Sequence, residues 1–193
     1  VPMVTVGPVQ AGFTYIMRNY AREEHAFIWW DFKDTAIKNL KQSIIVSLIN
    51  FFVTFLLLLS FRAYLEIGPA GFITVAGVGI IVSMLLIFAC MNMYIYPMMI
   101  TFDLTLKDLY KNAFIFAIIK FIPNIGIFLL CAFIIFFSFG LIVPFSPIVG
   151  LFIYLFFMVS FIGFIINFYV YPALKKYMIS RLGDDDEKGD DME

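Results

Sequence analysis

The chain has 193 residues, of which 63% are hydrophobic and only 14% charged. A soluble domain carries about 45–50% apolar and roughly 25% charged residues, so this composition excludes a disordered chain and argues against a soluble one. Thirteen Lys and Arg oppose fourteen Asp and Glu, a formal net charge of −1, and no basic excess offers a surface to nucleic acid.

The N-terminal stretch Val1–Ile16 is interrupted by Pro2, Gly7, Pro8 and Gly12. It is too short and too broken to span a bilayer, and it lacks the basic, apolar and small-residue regions of a signal peptide. Because Val1 is not an initiator Met, a hydrophobic helix is expected upstream of it. Arg22-Glu23-Glu24-His25 is the one cluster that resembles a site. Neighbouring residues on a helix diverge, and His25 is the sole histidine, so a structural charge cluster is expected rather than a metal or catalytic centre.

An interfacial helix is expected over about 20–41, leading into the first span. By helical spacing Asp31, Asp34, Lys38 and Lys41 share one side, while Trp30, Ile37, Leu40 and Ile44 gather on the other, with Lys33 intruding. Trp29 and Trp30 stand where interfacial anchors belong. The residues Arg22, Glu23, Glu24, Asp31, Asp34, Lys38 and Lys41 form a candidate cytoplasmic surface, either a plain linker or a contact for another protein.

Charge gaps locate the spans. Twenty uncharged residues separate Lys41 from Arg62, thirty-six separate Glu66 from Asp103, and fifty-four separate Lys120 from Lys175. Since about 20 apolar residues cross a bilayer, four spans are predicted: 43–61, 72–96, 123–143 and 148–171. The turn-prone segment 67–71 and the Pro144-Phe145-Ser146-Pro147 turn separate them. A second interfacial helix is expected over about 103–120. The third span begins either at Ala113, burying Lys120, or at Pro123; the cost of an intramembrane charge favours Pro123. The predicted fold is an all-α polytopic transmembrane bundle.

Lys and Arg cluster in segments 17–42 and 98–122 and after 174, and hardly at all in the other connections. With four spans these segments fall on one side, which the positive-inside rule makes cytoplasmic. A multi-pass plasma-membrane protein with a cytoplasmic C-terminus follows. Seven of the fourteen acids lie in the last ten residues, an acidic tail over 183–193 expected to be disordered. Cys90 and Cys131 sit inside apolar runs and read as small hydrophobes.

Two hexamers repeat. Asn92-Met93-Tyr94-Ile95-Tyr96-Pro97 closes the second predicted span and Asn167-Phe168-Tyr169-Val170-Tyr171-Pro172 the fourth. A weaker echo links 31–42 with 103–114, which suggests two duplicated halves of the same orientation. Asn92, Tyr96, Pro97, Asn167, Tyr171 and Pro172 are therefore candidate helix-packing or partner contacts. The alternative is a polar binding site between the repeats. Gly79-x-x-x-Ser83 and Ser160/Gly163/Asn167 offer close-packing faces. No phosphate-binding loop, dinucleotide fingerprint or hydrolase elbow is present, and no catalytic residue, metal or cofactor is assigned.

The stretch Val1-Pro2-Met3-Val4-Thr5-Val6-Gly7-Pro8, followed by Tyr15, Arg22-Glu23-Glu24, Asp31-Phe32 and Asn39-Leu40-Lys41-Gln42, resembles the YesL-like family of small bacterial membrane proteins. So do Tyr94, Tyr96-Pro97, Phe102-Asp103, Lys111-Asn112-Ala113 and Pro123. The likeness reaches to about residue 125, and its N-terminal block is the most specific part. Thr101 departs from the family, whose members often have a basic residue there. The resemblance implies a domain of unknown function, often encoded beside ABC-type carbohydrate uptake systems, with a hydrophobic helix before the N-terminal block. A non-enzymatic accessory to such an importer is the leading expectation, with permease subunits, the lipid bilayer and a second copy as partners. A small oligomeric transporter or channel is the alternative.

Overall fold

The computed structural model describes residues 2–66, 71–142, 146, 150, 152–153 and 157–179. Its elements are helices, and no strand occurs among the described residues. In chain order they are α1 (Pro2–Ala21), α2 (Ile28–Lys38), α3 (Leu40–Glu66), α4 (Phe72–Thr101), α5 (Leu106–Ile119), α6 (Phe121–Ile142) and α7 (Val159–Leu174). A π-helical turn, Lys175–Ile179, continues α7.

Three helical stretches are long and apolar enough to cross a membrane: Leu40–Glu66, Thr74–Thr101 and Phe121–Gly140. They make this a multi-pass membrane protein. A helix satisfies its own backbone groups, which hydrocarbon requires of any spanning segment. Their flanks carry Phe52, Leu56, Leu59, Phe133 and Phe136, all exposed, as a lipid-facing surface demands. The first and third spans lie close to the predicted positions, and α6 starts directly after Lys120, so that charge stays outside the span. Pro123 is the third residue of α6, where its missing N–H belongs to the unpaired first turn. The fourth predicted span, 148–171, begins largely outside the described residues, and α7 is its described part. The 67–70 connection, most of the 144–147 turn and the 183–193 tail also lie outside them.

Several expectations are corrected. The hexamer prolines do not end their helices: Pro97 lies inside α4, which runs on to Thr101, and Pro172 lies inside α7. Proline removes one helical hydrogen bond, and packing around Pro97, which is buried, holds the helix past it. The interfacial helix expected over 20–41 is not continuous. α1 ends at Ala21 and α2 begins at Ile28. Glu23 N–H donates to Tyr20 O and Glu24 N–H to Asn19 O, closing a Schellman turn with Glu23 at φ 58°. α5 is shorter than 103–120. Thr105 caps it by accepting from Asp108 N–H, and Leu109, Ala113, Phe116 and Ala117 are buried.

The largest departure is at the N-terminus. Residues read as an interrupted stretch form α1, which packs against α2, α3, α4 and α7. The glycines that looked like breaks are points of close approach. A Cβ on Gly7 would collide with the backbone of Ser43 on α3, and one on Gly12 would come within 2.6 Å of Phe32 O on α2. Gly163 on α7 faces the Phe13 ring in the same way, at 2.5 Å. Gly79, by contrast, has open space around it. The core is the buried run Met93–Met99 of α4 (Met93 to Tyr96, Met98 and Met99), packed with Leu109 and Phe116 of α5, Val170 and Leu174 of α7, and Val46 of α3.

Candidate functional site

The two hexamers project inward and build a polar lattice inside this apolar core. Asn92 Oδ1 accepts from Asn50 Nδ2 at 2.6 Å, and Asn50 Oδ1 accepts from the Tyr110 hydroxyl at 3.0 Å. Tyr94 and Tyr169, the third residues of their hexamers, both donate to Asn124 Oδ1, at 2.6 and 2.8 Å. Asn124 Nδ2 faces Phe116 O and Ala117 O, each at 3.4 Å, where α5 gives way to α6. Buried amides are tolerated only when so paired. Asn167 is the exception. Its Nδ2 donates to Gly163 O at 2.8 Å, but its Oδ1 has no partner.

A cavity of about 340 Å³ opens between α1, α4, α6 and α7. Four of the six hexamer candidates, Asn92, Tyr96, Pro97 and Asn167, share its wall with Gln10, Thr14, Phe128 and Cys131. No charged residue lines it. A second cavity, about 510 Å³, lies against α3 and shares Gln10, Asn92 and Tyr96 with the first. Tyr171 is drawn elsewhere, with the Arg22 guanidinium 4.8 Å from its ring centre, and Pro172 is exposed.

The charged candidates assemble at the other end of α4. Asp31, Asp34 and Lys38 of α2 line a polar cleft of about 250 Å³ with Thr35, Asn39, Tyr15, Thr101 and Asp103. The polar side of α2 thus faces the bundle, where Thr35 is buried, while Trp29, Trp30 and Ile37 are exposed. Arg22 pairs with Glu24 at 2.7 Å, and Glu23, His25 and Lys41 are exposed and line no cleft wall. The described residues contain no group of three or more potential metal ligands.

Arg18 supports this end, and nothing in its local sequence singles it out. Its guanidinium is buried, donating to Thr101 Oγ1 at 2.9 Å and to Asn19 Oδ1 at 3.2 Å, 4.7 Å from the Tyr15 ring centre. Burial, with Arg22 nearby, pushes its pKa down, yet a guanidinium starts so high that it stays charged. Asn50 and Asn124 are visible in the sequence as rare polar residues within charge gaps. Their role as acceptors for tyrosines on other helices appears only in the fold.

No family model, curated protein or solved structure matches the chain. The reading of the site therefore rests on its geometry. The charge-free cavity suits a neutral, mostly apolar ligand with a few hydrogen-bonding groups, and the cleft suits a charged contact.

Proposed function

We propose that the chain is a non-enzymatic accessory subunit of a membrane uptake system, with permease subunits of an ABC-type carbohydrate importer as its partner. The observation that carries the reading is the polar cleft. Asp31, Asp34, Lys38 and Asp103 converge at one end of the bundle, where a partner of complementary charge has access. The resemblance to YesL-like proteins supplies the partner class. In this reading the cleft faces the cytoplasm, α2 lies in the interface with its tryptophans toward lipid, and a fourth span precedes a cytoplasmic C-terminus of a plasma-membrane protein. The two hexamers then mark duplicated halves. Affinity purification in mild detergent tests the proposal: a permease co-purifies with the native chain and not with an Asp34→Lys/Asp103→Lys variant. Absence of any permease, together with undiminished glycan uptake on deletion, refutes it.

A second reading, a small oligomeric transporter or channel, is favoured by the two cavities that meet at Gln10, Asn92 and Tyr96. Solute flux into liposomes holding this protein alone supports it, and flux equal to that of empty liposomes removes it.

A further inference from the structure

Asn167 Oδ1 is the one buried side-chain polar atom without a hydrogen-bond partner among the described residues, on a residue only 4% exposed. Its amide orientation is set by the bond from Nδ2 to Gly163 O, so the free group is an acceptor and needs a donor. Asn167 forms part of the wall of the cavity between α4, α6 and α7. We propose that this cavity binds a neutral single-chain lipid whose hydroxyl donates to Asn167 Oδ1.

Each property of the ligand follows from the wall. No charged residue lines the cavity, and a charged headgroup taken from water into such a site has nothing to offset its desolvation. The volume of about 340 Å³ falls at the lower end of the ~300–1,000 Å³ range of small-molecule sites, which fits one chain better than two. The wall residues Phe128 and Ile135 are exposed on α6, a spanning helix, so the cavity meets hydrocarbon rather than water. Asn167 precedes Lys175 by eight residues, roughly 12 Å of helix. At that depth an uncharged hydroxyl on an alkyl chain is the donor that a bilayer supplies. A lone water would need two or more polar partners of its own.

The test uses the full chain in phosphatidylcholine nanodiscs loaded with hexadecanol or with hexadecyl methyl ether, which keeps the chain and removes the donor. Lipid retained after repurification is read by mass spectrometry. The native protein retains the alcohol about tenfold over the ether, the worth of one hydrogen bond. Asn167→Leu abolishes that preference. Ala132→Phe, at an exposed wall position, lowers retention of both. Equal retention of alcohol and ether by the native protein overturns the proposal. So does retention of neither, which leaves the oxygen to water. If Asn167→Leu does not fold, undiminished retention by Ala132→Phe overturns it instead. None of these outcomes depends on an importer partner.

Discussion

Tyr94 and Tyr169, one from each hexamer, meet on a single acceptor: both hydroxyls donate to Asn124 Oδ1. The junction ties α4, α6 and α7 together within the core. Tyr94→Phe or Tyr169→Phe should each cost about 0.5–1.5 kcal/mol, the net worth of one hydrogen bond. Asn124→Leu should cost more than either, because it strands two hydroxyls at once. Thermal unfolding in detergent measures all three, and a double-mutant cycle between Asn124→Leu and Tyr94→Phe should show clear non-additivity.

The first residues of the two hexamers should respond with opposite sign. Asn92→Leu removes the acceptor for Asn50 and should destabilise by about 1–3 kcal/mol. Asn167→Leu removes an oxygen that has no donor, so in ligand-free detergent it should raise the unfolding midpoint. Equal destabilisation by both would contradict this account.

Arg18 fits its place as a fork. It reaches Thr101 Oγ1 and Asn19 Oδ1 together, which a lysine ammonium cannot reproduce from one point. Arg18→Lys should therefore lower stability by about 1–3 kcal/mol despite keeping the charge. Cysteine accessibility at Thr101→Cys should rise in the same background as the end of α4 loosens.

Glu23 occupies the Schellman position at which glycine is favoured, with φ 58°. A side chain there costs about 1 kcal/mol. Glu23→Gly should raise the unfolding midpoint, and Glu23→Val should lower it, while the Arg22–Glu24 ion pair persists in both.

Tyr110 gives an alkaline signature. Burial, with Tyr96 nearby, raises its pKa above the ordinary 10.0, so the folded state favours the neutral hydroxyl that donates to Asn50. That contribution is intact below about pH 10 and is lost as pH rises through the folded pKa. Tyr110→Phe should flatten the alkaline fall in stability, and ultraviolet titration should show one fewer late-titrating phenol.

The spans and the hexamers are legible in the sequence because both depend on local composition: missing charge for the spans, and spacing for the motif. The polar lattice is not legible. Asn124 and Tyr94 are thirty residues apart, and only helix packing decides which buried donor meets which acceptor. α1 was obscured by an ordinary inference. Pro and Gly read as interruptions, yet Gly7 and Gly12 are small because α3 and α2 press against them. The side of α2 that faces the bundle was equally hidden. Periodicity separates its polar and apolar sides, but it does not say which one turns toward neighbours.

The position of α1 also sets an order of assembly. It holds α2 and α3, which follow it closely, and it also holds α7, from which α2 through α6 separate it in sequence. During synthesis the early hairpin can settle at once, while the Gly163 face that receives Phe13 does not yet exist. The bundle therefore closes late. Until α7 arrives, Phe13, Met17 and Thr14 stand uncovered on that side, a window in which a chaperone or a premature partner finds its target.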